Sequence, residues 1–446
     1  TLMKRPFYHC LATFLLIVTP ILSFGQEKTY KTVEKIYEEA GEYMAEESWT
    51  KAYDKLLEVN VNDTAFFDSR VNALVCAQVQ DRYDTIVDLC REVLMVEKYN
   101  PSKQTFVNSL GHALIQQNKY DEAWEVLQKG VDEYPMNYLM RYNRSTILVE
   151  QEKYDEAVKE LQTCVRYNPH YYASHFRLGL LCYQAGDLAR ASMALNMALY
   201  LNATSANSIT VISLLENIYG GVPHEDGEIK INYREEEDFD EIDLLIKNKV
   251  AENPKYKIKA KLKFDFIKHT HLVFESLNYN ESDNGFWNQT YARFFTQILK
   301  DKQYPNFAYY QCVAVDHAPT QQVIAKNKSK IQDFVNYSAK LMVDVMNERT
   351  VWEDGSYVKN RFNHVGSYGF DSQGEVVRDL IVGPFTTYSD KGLVQSKGQF
   401  NKQGQLDGVW KYYTEDGELE VVATFANGEL KGDRTTYYLN GSRSTK

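Results

Sequence analysis

The sequence predicts an α+β multidomain chain. Residues 33–220 read as an all-α helical solenoid, 221–350 as a mostly helical middle region and 351–446 as a sheet of repeated β-hairpins. Two spacings carry that prediction. Ala123, Ala157 and Ala191 lie 34 residues apart, each followed four residues on by Leu127, Leu161 or Leu195. A small residue with a large apolar one a helical turn later, at this period, marks a helix–turn–helix unit. Near the C-terminus Gly383, Gly408 and Gly432 stand 25 and 24 residues apart, and each opens a short aromatic stretch that ends in a glycine turn. That is the pattern of strands joined by tight hairpins.

The first element is a leader. Lys4-Arg5 precedes an apolar run from Leu11 to Phe24, with Ser23 and Gly25 as the small residues before Gln26. This predicts a secretory signal peptide over 1–25. The apolar run is short and contains Pro20, so it is read as a cleaved leader and not as a membrane span. No second apolar run of spanning length follows. A mature chain opening at Gln26 resembles exported proteins of Bacteroidota-type bacteria. The expected location is therefore periplasmic or outer-membrane-associated. Net charge is −11 over 446 residues, which excludes a protein built to neutralise nucleic-acid phosphates.

Counting from Ala123 as position 20 gives units at 104–137, 138–171 and 172–205. Counting backwards from Ala52 and Ile86 adds 33–66 and 67–103, the latter with extra residues in the loop 98–103. Position 8, where paired helices cross, holds Ala40, Leu74, Gly111, Ser145 and Gly179. The run 206–220, stopped by Gly220-Gly221, reads as the capping helix that closes a solenoid. The alanine, glycine and proline positions of the middle three units resemble the tetratricopeptide repeat. In this frame Cys76, Cys90, Cys164 and Cys182 fall on packing positions, where cysteine acts as a small hydrophobe. Cys312 stands apart, and no disulfide is expected.

The resemblance implies a concave groove lined by the first helix of each unit. Its lining residues would include Asn108, His112 and Gln116 in the third unit, Tyr142 in the fourth, and Phe176 and Tyr183 in the fifth. The groove is apolar and aromatic and lacks a lysine–arginine set for a terminal carboxylate. It suits a segment of another protein. The alternative occupant is a neighbouring segment of the chain itself.

In the middle, the acidic run 234–243 lacks the spacing of a cation loop and reads as the negative first turn of a helix. His269 and His271 would diverge on a helix, so no metal is expected. The dense aromatics Phe286, Trp287, Tyr291, Phe294 and Phe295 read mainly as packing.

The C-terminal hairpins resemble the bacterial variant of MORN repeats over about 381–441. No nucleophile with a base, metal cage or phosphate loop appears, so the expectation is a non-catalytic, cofactor-free scaffold with a protein or peptide partner. The alternatives are a glycan-binding or hydrolytic envelope protein using the aromatic middle, or an immunity-like module.

Overall fold

The structure is a computed structural model. It describes residues 27–445 apart from 99, 225–228, 233–237, 263, 281–284, 347, 354–355, 362–363, 367–368, 378–379, 390–391, 415, 433 and 438–442. The expected signal peptide lies outside the described residues. So do 234–237 of the acidic run and parts of the three glycine turns, at 390–391, 415 and 439–441. The chain divides into two compact units between Glu133 and Tyr134.

The first unit is helical. It contains α1 (Glu27–Ala45), α2 (Trp49–Leu56), α3 (Phe66–Val79), α4 (Tyr83–Leu94), α5 (Lys103–Gln116) and α6 (Tyr120–Glu133). Sequence neighbours pack in pairs. The α5–α6 crossing shows why position 8 is small. A Cβ on Gly111 would stand 2.4 Å from Leu127 Cδ2, well inside contact distance.

The second unit opens with the same pairing. Its first helices are α7 (Tyr138–Glu150), α8 (Tyr154–Tyr167), α9 (Tyr172–Gln184), α10 (Leu188–Leu201) and α11 (Asn207–Gly220). Gly179 on α9 lies under Leu195 of α10 as Gly111 lies under Leu127, with a built Cβ 2.7 Å from Leu195 Cγ. Helix α11 ends at Gly221 in the left-handed conformation, φ 73°.

One turn geometry recurs in both units. Glu47, Asp81, Asn118, Glu152 and Gly186 all have φ between 52° and 74°. The next residue in each case donates its N–H to the carbonyl five residues back: Ser48 to Tyr43, Arg82 to Ala77, Lys119 to Leu114, Lys153 to Leu148 and Asp187 to Cys182. This closure satisfies carbonyls that the ending helix leaves unpaired and aims the chain into the next helix.

Helices α12 (Asp240–Lys247), α13 (Asp265–Ser276), α14 (Arg293–Lys300), α15 (Tyr304–Gln311), α16 (Ala318–Lys326) and α17 (Lys328–Met346) follow, and a π-helical turn, Asn288–Ala292, leads into α14. This segment packs on α10, which touches α9, α11, α12, α13, α15 and the π-helical turn. All residues of α10 from Ala189 to Tyr200 are buried. Its sequence explains this, because LARASMALNMALYL is apolar or small nearly all round, the composition of a helix enclosed on every side. Two expectations gain detail here. The stretch 321–346, which reads in the sequence as one amphipathic stretch, is two helices broken at Asn327, and the acidic first turn of α12 does more than favour its own helix. Asp243 Oδ1 accepts the N–H of Ala189 at 2.7 Å, so it also caps α10.

The β region is antiparallel throughout. Strands β1 (Glu348–Glu353) and β2 (Ser356–Arg361) form a separate hairpin. The remaining strands are β3 (His364–Gly366), β4 (Gly369–Val377), β5 (Leu380–Tyr388), β6 (Val394–Phe400), β7 (Leu406–Tyr413), β8 (Leu419–Ala426), β9 (Glu429–Leu430), β10 (Thr435–Tyr437) and β11 (Arg443–Thr445). They form one sheet in the order β11-β10-β8-β7-β6-β5-β4-β3, with β9 paired to β8. Two of the three opening glycines, Gly383 and Gly408, prove to sit at bulges. The register slips between Gln373 and Glu375 opposite Gly383, and between Lys397 and Gln399 opposite Gly408. Gly383 and Gly408 take φ 69° and 67°, which a side chain would resist. At each bulge an aromatic ring covers a glycine on the neighbouring strand. A Cβ on Gly374 would meet Phe385 at 2.3 Å, and one on Gly398 would meet Trp410 at 2.2 Å.

Candidate functional site

In the first unit, Asn108, His112 and Gln116 recur every four residues along α5 and therefore share one face. His112 and Gln116 are exposed and Asn108 is half-buried. The His112 ring stands edge-on to Tyr83 at 6.2 Å.

In the second unit the candidate face lies on α7 and α9. Tyr142 is half-buried, and the Arg177 guanidinium sits 4.7 Å over its ring while Arg177 Nη1 donates to Thr146 Oγ1. Tyr171 meets Tyr142 edge-on at 5.4 Å. Phe176, one residue before Arg177, is half-buried and tilts against Tyr172 at 5.8 Å. The result is an aromatic surface with a delocalised cation held over one ring. Such a surface takes apolar side chains, and the guanidinium edge adds hydrogen-bond donors.

Tyr183 departs from the expectation. It was placed among residues facing a partner, yet it is only 4 % exposed. Its hydroxyl donates to the Val222 carbonyl, and His224 stands edge-on to its ring at 5.1 Å. Farther along, the Ile229 N–H donates to the Gln184 carbonyl at 3.1 Å, and the Asn232 N–H to Asp155 Oδ1 at 2.6 Å. The chain's own residues beyond α11 therefore cover this end of the α9 face. A polar tip at Tyr183 and the alternation of Ile229 and Ile231 were the only signals of this in the sequence.

The aromatic middle offers no open binding surface among these rings. Trp287, Tyr291, Phe294 and Phe295 are fully buried and Phe286 nearly so. Phe274 stacks on Phe295 at 4.0 Å, and Trp287 on Tyr291 at 5.2 Å. These are core contacts, so these rings pack the segment and do not themselves face a ligand. His269 lies flat on Tyr219 at 4.9 Å, whereas His271 Nδ1 meets the Tyr256 hydroxyl at 2.6 Å, so the two rings serve different neighbours. Among the described residues no group of three or more His, Cys, Asp or Glu side chains could hold a metal ion. Cys76, Cys90, Cys164, Cys182 and Cys312 are buried free thiols. Burial pushes Cys76 up to about 11 and Cys90 and Cys312 up to about 12, far from the range of a reactive thiolate.

Sequence reading missed a second polar cluster. Asn196, buried on α10, donates through Nδ2 to the Ser192 carbonyl at 2.8 Å. Its Oδ1 accepts from Thr270 Oγ1 at 3.3 Å and from Gln311 Nε2 at 2.9 Å. The Tyr219 hydroxyl meets Ser192 Oγ and Thr270 Oγ1 in the same cluster. The cluster ties α13 and α15 to α10 through hydrogen bonds centred on Asn196, an arrangement that fixes packing, although the buried Gln311 Oε1 has no hydrogen-bond partner.

Residues 108–161 and 142–206 match the family model of the tetratricopeptide repeat, and this stretch of the chain carries such repeats. Small glutamine-rich tetratricopeptide repeat-containing protein 2 of Mycosarcoma maydis is 32% identical over 91 residues, 20% of this chain and 24% of that protein. The match thus spans about a quarter of the relative's length. Among solved structures, MamA 41-end from Desulfovibrio magneticus RS-1 shares 16% identity at a TM-score of 0.33, covering 39% of this chain and 97% of that one. Pseudomonas aeruginosa pilF gives 16% and 0.33, with 44% and 95% covered. YrrB, titled a TPR protein with an unusual peptide-binding site, gives 18% and 0.29, with 40% and 93% covered. Tetratricopeptide-repeat proteins are in general non-catalytic scaffolds that bind proteins or peptides. Among the described residues no helix is long and apolar enough to cross a membrane.

Proposed function

We propose that this chain is a non-catalytic interaction scaffold of the bacterial envelope that holds a partner polypeptide on its repeat helices. The observation that carries the reading is the half-open aromatic face of Tyr142 and Phe176 with the Arg177 guanidinium over the Tyr142 ring. Aromatic and arginine side chains of this kind anchor protein interfaces far more often than other surface residues. Asn108, His112 and Gln116 form a separate contact face on α5. The apolar run at residues 11–24 supports export, with a periplasmic or outer-membrane-associated location. The C-terminal sheet is the second contact surface. Its 24- to 25-residue glycine period, with rings laid over glycines, supports a kinship with MORN repeats.

The test is affinity purification from envelope extract of the full chain and of a Tyr142→Ala/Phe176→Ala variant. The expected result is loss of the principal partner from the variant at an unchanged melting temperature. Retention of every partner by a folded variant would remove this face from the function.

A further inference from the structure

The stretch between α12 and α13 runs against the charge of the chain, whose net value is −11. Residues 255–262 read Lys-Tyr-Lys-Ile-Lys-Ala-Lys-Leu, with a lysine at every second position. Lys255, Lys257, Lys259 and Lys261 are exposed, whereas Tyr256, Ile258 and Ala260 are half-buried and Leu262 is buried. A period of two, lysine out and apolar side chain in, is that of a strand-like chain lying on a core. The inner row is anchored. The Tyr256 hydroxyl donates to Glu275 Oε2 of α13 at 2.9 Å and meets His271 Nδ1 at 2.6 Å.

The outer row has no partner of its own. Among the described residues no ion pair or hydrogen bond engages the four ammonium groups. Neighbouring carboxylates lie beside other cations: Glu252 stands 3.8 Å from Lys249, and Asp243 3.9 Å from Lys247. The backbone of 257–262 belongs to no helix or strand, bends at Lys259, and makes no hydrogen bond among the described residues. A row of unpaired main-chain donors and acceptors is a template on which another strand pairs. Like charges facing one another oppose pairing with a second copy of the same stretch, so the lysines select a strand of opposite sign.

We propose that residues 257–261 are a docking strip for an extended acidic segment of the partner polypeptide. That segment adds its main chain to this one and sets carboxylates against Lys257, Lys259 and Lys261. The inference rests on the scaffold reading for the existence of the partner. Carboxylates at every second residue of a strand repeat about every 6.6–7 Å, as the lysines do where their own chain is extended. An anionic membrane matches less well, because the strip exposes no large apolar side chain to enter the bilayer.

The probe is a fluorescein-labelled decapeptide of alternating glutamate and threonine, titrated into the full-length chain. It is expected to bind, and more weakly as sodium chloride rises. Lys257→Gln/Lys259→Gln/Lys261→Gln is expected to weaken binding about tenfold. These side chains are exposed, so the variant should keep the melting temperature of the unchanged chain. A peptide methylated at its main-chain nitrogens keeps every charge but loses its donors, and is expected to bind about fivefold more weakly. No binding to the unchanged chain, or binding indifferent to the lysine substitutions or to methylation, would overturn the proposal. So would capture of phosphatidylglycerol vesicles by the lysines without capture of the peptide, which would assign the strip to a membrane. Tyr142 and Phe176 take no part in this titration, so its outcome is separate from that of the extract purification.

Discussion

Tyr291 donates its hydroxyl proton to Nδ1 of His175 at 2.8 Å, joining the π-helical turn to α9 across 116 residues of chain. The other ring nitrogen of His175, Nε2, lies 2.9 Å from the Pro169 carbonyl. A carbonyl only accepts, so Nε2 carries the proton and the ring is neutral. Charging it would place a second donor against the tyrosine hydroxyl inside a dry core.

The pH dependence follows with a definite sign. Burial lowers the His175 pKa from 6.5 to about 4. Between those values the unfolded chain binds a proton that the folded chain refuses. Stability is therefore full above pH 6.5 and falls as pH drops toward 4, by about 3 kcal/mol at most. Asp243 opposes this, because burial and the nearby Asp187 raise it to about 6. The comparison with His175→Gln isolates the histidine, since an amide keeps a donor and an acceptor without titrating. Urea midpoints at pH 7.5 and 4.5 should converge for the variant and separate for the wild type. A wild type no more acid-sensitive than the variant would count against the neutral ring.

The left-handed turns predict small gains. Glu152 holds φ 58° with a side chain that this conformation disfavours. Glycine there relieves roughly 1 kcal/mol of strain and returns about half of it as unfolded-chain entropy. Glu152→Gly should raise stability by about 0.5 kcal/mol, Asn118→Gly by less because asparagine tolerates this region, and Gly186→Ala should lower it by about 1 kcal/mol. Thermal midpoints of the three variants would give the order.

Gly111→Ala sets two effects against each other. Alanine favours the helix by about 1 kcal/mol, while forcing Leu127 away costs 1–3 kcal/mol, on the order of other overpacked cores. The single variant should be destabilised. Adding Leu127→Val should cost less in the Gly111→Ala background than in the wild type, and a double-mutant cycle by urea unfolding would show that sign.

Asn196→Leu removes a shared partner. Thr270 and Gln311 would each lose their bond to Oδ1, and stability should fall by about 2–4 kcal/mol. Asn196→Asp keeps the acceptor but buries a charge, so its loss should shrink as pH falls below 6. Melting curves at pH 5 and pH 8 would distinguish the two.

The repeats were legible because their physics is local. Gly111 and Leu127, or Gly179 and Leu195, sit 16 residues apart on consecutive helices, and steric necessity fixes that spacing in the sequence. The strand glycines were legible for the same reason, although Gly383 and Gly408 proved to mark bulges as well as strand openings. What failed was long-range. Nothing near Tyr183 states that residues 40 positions later return to cover it, and nothing near His175 announces Tyr291. Only α10 carried a hint, since a helix apolar on all sides must be enclosed by something. On the candidate site, Tyr142 and Phe176 come from the groove positions that the repeat resemblance implies, and those positions do not say which face another segment already covers.

The bulges at Gly383 and Gly408 give the sheet a further property. Each repeat restarts the ladder in the same phase, so residues 383–407 form an interchangeable length of material. Excising them would set Gly408 where Gly383 stood and shorten the sheet by one hairpin without turning any ring to the opposite side. Duplicating them would lengthen it in the same way. The extent of this surface is thus free to change by whole hairpins, like a tape measure cut only at its graduations, while the repeat helices stay untouched.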